Sequence, residues 1–447
     1  MMLTSCTEDD SSSTLRLSNI DGIRMNKSLY LMVRGETESI DYSLSRESNK
    51  NDLLFTIEDP LVVEVENGTL SALKKGTSTV DVSSSSDPEV SGSFIVKVGD
   101  EVRIEDLDLS KPVCIMYSRY GSNDSNYDQD YQIPYDKMTH FVLNLGRVLT
   151  NGHLMELEEQ YASFANQVVA DANENNVKVI LALNGDGGDL GDKTIPIVIN
   201  NENKRAILIT DTMELIENYH LDGVGFNWEF PETEESKANL LKFYKELRAE
   251  VDNHARDLIV FNVVNSIYGN DYFHDDIVNY IDFQLIMVYH YLKDIRTDYS
   301  IDRGYQFLLE SIDYWNTRSL PKEKAVYSVP FYGEFFLYEK DNMENESDWI
   351  SRDSVRYLDI QEMYDNTTLN NDAAGNVSSG TYITDYALEN NLNQDDLLGF
   401  YYWNGPDLIK RKATYLKDNN FRGLFIWALY FDTFDNTLLN AAYEGLY

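Results

Sequence analysis

The sequence predicts an α/β protein with a C-terminal (β/α)₈, or TIM, barrel and an all-β sandwich before it. Three observations carry this. From Lys111 onward, eight short apolar runs alternate with amphipathic stretches. Before Val98 the runs are shorter, alternate in polarity, and are separated by turn dipeptides with no helical period. The chain has 447 residues, more than one domain of roughly 150 residues accounts for.

Taken in order, residues 1–14 are a polar tether. Leu3-Thr4-Ser5-Cys6, followed by an acidic and serine-rich run, resembles a bacterial lipoprotein processing site in which Cys6 is lipidated. That resemblance implies an outer-membrane lipid anchor at the bacterial cell surface or in the periplasm. Residues 15–98 hold runs at 53–57, 61–65, 78–82 and 94–98. Asp59-Pro60, Asn67-Gly68 and Lys75-Gly76 separate them as turns, which fits a small β-sandwich. The stretch from Asp59 through Val82 resembles the bacterial immunoglobulin-like repeat, a spacer domain. Residues 99–110 are an acidic linker. Residues 111–447 carry the apolar runs 113–117, 140–145, 177–183, 223–228, 258–264, 283–289, 325–329 and 423–429. Near-continuous apolar strands alternating with helices argue a parallel sheet covered on both faces, and eight units argue closure into a barrel. The Asn- and Asp-rich segment 338–396 reads as an insertion between the seventh and eighth strands.

Composition narrows the partners. The formal net charge of −39 repels phosphate backbones and anionic lipid, which excludes nucleic acid and leaves a lipid anchor as the only membrane contact. The two cysteines cannot make a disulfide framework, and Cys114, inside an apolar run, reads as a buried thiol. The six histidines show no metal-ligand spacing, and no phosphate loop is present, so neither a metal nor a cofactor is expected. His140, inside an apolar strand, reads as a core residue. The 31 Tyr, 19 Phe and 5 Trp serve packing in the ordinary case, but flat aromatic faces also stack on sugar rings.

Active sites of such barrels lie at the C-terminal ends of the strands. The fourth run continues into Gly225-Phe226-Asn227-Trp228-Glu229-Phe230-Pro231. With a period of two, Gly225, Asn227 and Glu229 share the face toward the barrel mouth, and Val224, Phe226 and Trp228 the face toward the helices. Glu229, with Trp228 and Phe230 around it, is a candidate general acid; the alternative is a carboxylate that caps the next helix.

The segment from Asp222 to Glu229 resembles the Asp-x-x-Asp-x-Asp-x-Glu signature of glycoside hydrolase family 18, the chitinases and endo-β-N-acetylglucosaminidases. Strand-like segments at 136–145 and 177–185, Met287-Val288-Tyr289, residues 329–333 and the last unit around Trp427 resemble the family in the same order. The resemblance implies endo-acting hydrolysis of β-1,4 linkages in N-acetylglucosamine-containing glycans, with the substrate's own acetamide as nucleophile. It makes Glu229 the acid/base, Asn227 the acetamide-orienting residue, Tyr289 the acetamide donor and Trp427 the floor under the sugar. Asp222, His290, Tyr332, Tyr117 and Asn184 become expected substrate contacts. The partner is then an N-acetylglucosamine-containing oligosaccharide or polysaccharide, with surface glycan-uptake proteins as neighbours.

The departures lie on the substrate face. Gly225 and Asn227 replace two carboxylates of the signature, His290 stands where chitinases have Asp, and Ala182 and Asn184 alter the third strand. Asn accepts an N–H but carries no charge. Two readings follow: a hydrolase with a modified site, or a catalytically impaired surface protein that binds glycans.

Overall fold

The computed structural model describes residues 22–44, 53–85, 88–118, 132–185, 191–289, 301–342, 348–363, 374–377 and 387–447. Cys6 and His290 lie outside them. The chain divides into two compact units, Met1–Asp100 with Lys245–Ala255, and Glu101–Tyr244 with Arg256–Tyr447.

The described N-terminal residues are strand-rich. They form β1 (Ile23–Met25), β2 (Leu29–Val33), β3 (Thr37–Ser39), β4 (Tyr42–Leu44), β5 (Leu53–Ile57), β6 (Val63–Glu66), β7 (Thr69–Ala72), β8 (Gly76–Ser84) and β9 (Ser91–Gly99). The sheets run β2-β9-β8-β5, β3-β7-β6 and β1-β4. Alternation does the work: Ser78, Val80, Val82 and Ser84 of β8 are buried, as are Phe94, Val96 and Val98 of β9. Tyr30 closes this core against Phe94, with ring centroids 4.9 Å apart. The Asn67-Gly68 turn between β6 and β7 puts both residues at positive φ, 52° and 77°, which is the geometry a two-residue hairpin asks for.

The second unit holds a closed parallel barrel. Its strands are β10 (Val113–Tyr117), β11 (His140–Val148), β12 (Lys178–Gly185), β13 (Gly223–Phe226), β14 (Ile259–Asn265), β15 (Phe283–Met287), β16 (Ala325–Pro330) and β21 (Gly423–Trp427). Each coincides with one of the eight apolar runs. β11 runs on past the expected end, with a register shift between Leu143 and Gly146. β13 ends two residues early, yet Asn227 N–H still bonds Leu183 O at 2.9 Å, so the extended path continues toward Glu229.

The inside of the barrel is filled by one face of each strand: Ile115 and Tyr117, Ile180 and Ala182, Phe261 and Val263, Leu285 and Met287, and Phe425. The other face meets the helices. Phe226 packs on Phe243 of the helix Glu234–Asp252, centroids 5.1 Å apart. Cys114 is a buried free thiol whose pKa burial pushes up to about 12.

Between β16 and β21 a second sheet is built from β17 (Tyr332–Glu339), β18 (Ser351–Arg356), β19 (Ala374–Val377) and β20 (Leu397–Trp403), in the order β18-β17-β20-β19 and antiparallel throughout. It reaches beyond the expected 338–396 on both sides. The apolar run around Val329 continues through Phe331 into β17, so the junction at Pro330 carried no change of texture.

Candidate active site

The period of two that fills the barrel also delivers the site. Ile115 leads to Tyr117, Phe425 to Trp427, Met287 to Tyr289, Val263 to Asn265, and Gly225 to Asn227 and Glu229. All of these ends except the glycine line one cavity of about 410 Å³ at the C-terminal ends of the barrel strands. Phe230, Tyr332 and, from the inserted sheet, Glu334 and Arg352 line it too.

Backbone bonds fix the strand ends. Leu429 N–H donates to Tyr117 O at 2.8 Å, and Phe331 N–H to Trp427 O at 2.7 Å. Ser328 Oγ accepts from Val288 N–H at 2.6 Å, next to Tyr289. The Glu229–Phe230 and Trp427–Ala428 peptides are cis. An aromatic wall follows: Tyr117 lies 5.7 Å from Trp427, and Tyr289 lies 5.8 Å from Tyr332, centroid to centroid.

Asn227 Nδ2 donates to Glu229 Oε1 at 3.1 Å. The Glu229 oxygen here is the acceptor and the amide nitrogen the donor. Among the described residues, Asn227 Oδ1 is thereby left buried with no hydrogen-bond partner, and the buried Tyr117 hydroxyl has none either. Such groups cost about 1–3 kcal/mol each unless something fills the space and satisfies them.

The tyrosines stay protonated. Burial, then the charge of Glu229, holds the Tyr117 hydroxyl well above its ordinary pKa. Burial comes first for Tyr289 as well, followed by Tyr332 and Glu229. Tyr332 is raised by burial, then by Glu334 and Glu229. Each therefore remains a hydrogen-bond donor to a ligand across the neutral range.

Of the residues expected from sequence, Glu229, Asn227, Tyr289, Trp427, Tyr332 and Tyr117 come together here. Asp222 does not. It sits at the opposite end of β13, where it takes a hydrogen bond from Val179 N–H and pairs with Lys178 Nζ, both at 2.9 Å. Its position seven residues before Glu229 places it at the strand's start, so its part is to join β12 to β13. Asn184 is also outside the cavity lining; it is buried and donates to Asn144 Oδ1 at 2.5 Å and to Ala182 O at 3.3 Å. Trp228 is buried and, as its alternate position requires, outside the cavity lining.

Sequence reasoning passed over Glu334, Arg352 and Phe261. The first two belong to the inserted sheet, whose strands carry no barrel pattern. Phe261 looked like one core residue among many. Its ring takes the space beside Gly225, where an added Cβ would stand 1.8 Å from Phe261 Cε2. Among the described residues, no group of three or more His, Cys, Asp or Glu could hold a metal, and no helix is long and apolar enough to cross a membrane.

Known proteins share this architecture. The sequence pattern of Glycosyl hydrolases family 18 matches residues 114–432. Probable chitinase 10 of Drosophila melanogaster is 24% identical over 313 residues, 62% of this chain and 13% of that protein. Probable chitinase 2 of the same fly is 26% identical over 201 residues, 40% of each chain, so this chain spans less than half the length of either relative. The chitinase-like agglutinin of Robinia pseudoacacia superposes with a TM-score of 0.58 at 20% identity, over 74% of this chain and 99% of that one. A chitinase from Bacteroides thetaiotaomicron gives 0.53 at 20% identity, over 75% and 96%. With the family pattern covering most of the chain and laid over a closed eight-stranded barrel, the chain belongs to glycosyl hydrolase family 18.

Proposed function

We propose that the protein is an endo-acting hydrolase of β-1,4 linkages in N-acetylglucosamine-containing glycans, working with retention and with help from the substrate's acetamide. The observation that carries this is the single cavity in which Glu229, Asn227, Tyr289 and Trp427 meet, with Asn227 hydrogen-bonded to Glu229 and its buried Oδ1 without a partner among the described residues. Glu229 gives its proton to the glycosidic oxygen. The acetamide oxygen attacks the anomeric carbon, and Asn227 Oδ1 accepts the acetamide N–H. The Tyr289 hydroxyl donates to the acetamide oxygen and sets its line of attack. Trp427 lies under the sugar. Glu229, now a carboxylate, then takes a proton from the water that opens the oxazolinium ring.

The neutral Asn227 favours a second reading, a surface protein that binds such glycans without turning them over. A missing carboxylate near the developing positive charge costs on the order of 3 kcal/mol, about a hundredfold in rate. Names among the relatives and structural neighbours include chitinases and a chitinase-like agglutinin. Either reading suits a lipid-anchored protein held off the bacterial surface by an immunoglobulin-like spacer, as the pattern around Cys6 and the repeat-like stretch after Asp59 suggest.

Wild type and Glu229→Gln are incubated with chitooligosaccharides and with high-mannose and complex N-glycans. Release is followed by mass spectrometry and binding by calorimetry. Release by wild type that stops in Glu229→Gln is expected; binding by both with release by neither leaves the binding protein as the answer.

A further inference from the structure

The cavity is less negative than its protein. The chain has 76 acidic and 37 basic residues. Yet Gly225 and Asn227 put no charge under the substrate, and the space beside Gly225 is closed by Phe261. Glu229 and Glu334 are the cavity's two carboxylates, and Arg352 is its one cation among the described lining residues.

Arg352 is held in a fixed pose. Its Nε donates to Glu334 Oε2 at 2.8 Å. Glu334 is only 4% exposed, and its other oxygen accepts from Ser354 Oγ at 3.2 Å. The guanidinium carbon lies 5.6 Å from the Phe336 ring centroid. The side chain remains 37% exposed. With Nε committed to Glu334, the two Nη groups keep their donors, and among the described residues they meet no carboxylate or carbonyl. A planar guanidinium anchored through Nε presents a pair of parallel N–H donors, the shape that takes a carboxylate in two hydrogen bonds.

We propose that Arg352 is a specificity-determining residue and that this cavity takes an N-acetylamino glycan bearing a carboxylate near the sugar held by Asn227 and Tyr289. The inference rests on the hydrolase or binding site described above and names the class of glycan it selects. The charge balance supports it. When Glu229 holds the proton it gives in catalysis, Glu334 and Arg352 cancel and an incoming carboxylate meets no net negative charge in the cavity. A carboxylate in place of Gly225 or Asn227 would repel the same ligand, so the neutral residues and the anchored arginine serve one purpose. The carboxylate has two sources: the lactyl ether of a bacterial wall amino sugar, or a terminal nonulosonic acid of a host glycan.

The test uses the full chain with Glu229→Gln, so that binding is read without turnover. Calorimetry at low ionic strength compares chitotetraose, a wall-derived tetrasaccharide carrying the lactyl ether, and a sialylated biantennary glycan. Each acidic ligand is paired with its carboxyl-reduced form. One acidic ligand binding about tenfold or more tightly than its reduced form is expected, and which one identifies the source. Adding Arg352→Gln should bring that ratio toward one. Because Arg352→Gln strands the buried Glu334, the paired change Glu334→Gln with Arg352→Gln is measured beside it, with the thermal midpoint as the check of folding. Arg352→Lys keeps the charge without the fork and should lose most of the ratio.

A ratio near one before any change at Arg352 overturns the inference, as does a ratio that survives in a folded Arg352 variant. Chitotetraose binding with no such ratio sinks the inference and leaves the functional reading standing. Binding of none of the ligands sinks both.

Discussion

Asn227 keeps the hydrogen-bonding shape of an aspartate without its charge. Its amide nitrogen is held by Glu229, and in the proposed mechanism its oxygen is the acceptor for the acetamide N–H. In that proposed mechanism it lacks attraction for the oxazolinium. Asn227→Asp should therefore raise kcat on chitooligosaccharides by roughly a hundredfold. Initial rates with KM determined separately check this, and a rate that stays flat would locate the defect elsewhere. Tyr289 works by a different argument. Its hydroxyl remains a phenol at neutral pH because burial and nearby negative charge raise its pKa. Tyr289→Phe keeps the ring contacts to Tyr332 and Phe425, centroids 5.8 and 6.3 Å away, and removes the donor alone. It should lower kcat about a hundredfold with the thermal midpoint nearly unchanged. A large fall in the midpoint would show that the hydroxyl is structural.

At the scale of the element, β13 and β14 have exchanged volume. A side chain at Gly225 would stand inside the Phe261 ring, so the two positions are one packing unit across paired strands. Gly225→Ala should cost about 1–3 kcal/mol of stability or more. Phe261→Ala should cost about 3–5 kcal/mol. The pair together should cost less than the sum, because each change makes room for the other. Denaturant unfolding of the four proteins gives the coupling, and simple additivity would refute the exchange. This pair also shows what the sequence could and could not carry. The eight strands were legible because each is a continuous apolar run between helices, and the strand period alone put Asn227 and Glu229 on the mouth side. Phe261 was not legible, because a ring filling a neighbour's vacancy is a relation across strands 36 residues apart (225 to 261), not a pattern along one. Asp222 was misplaced for a related reason: its spacing from Glu229 was noted, but the strand between them carries it to the far end of the barrel. Glu334 was hidden because β17 begins where the seventh barrel strand's apolar texture had not yet ended, and Arg352 because β18 is a polar strand, Ser351–Arg356, with no apolar run to mark it.

The whole molecule adds pH to this account. At −39 the protein is strongly self-repelling near neutrality, and protonating carboxylates relieves that repulsion on mild acidification. Against it stands His140, which the apolar strand marked as a core residue and which is only 8% exposed. Burial, then the cations Arg422, Lys178 and Lys111, push its pKa down to about 3. Its ring lies edge-on to Phe283 at 5.3 Å and bonds Thr139 Oγ1 at 2.7 Å, so the neutral form is the one the barrel accepts. The unfolded chain takes up a proton here near the ordinary value of 6.5, while the folded chain does not until about pH 3. Between these values the unfolded state binds more protons, so stability falls as pH falls. Each unit within that window removes up to about 1.4 kcal/mol, or about 3 kcal/mol by pH 4. His140→Phe keeps an aromatic ring against Phe283 and removes the titration. Its unfolding free energy between pH 7 and 4 should therefore fall by about 3 kcal/mol less than that of wild type, measured by urea unfolding at each pH. Parallel pH profiles for the two proteins would mean that His140 is protonated in the folded barrel, and that acid weakens the fold through other groups.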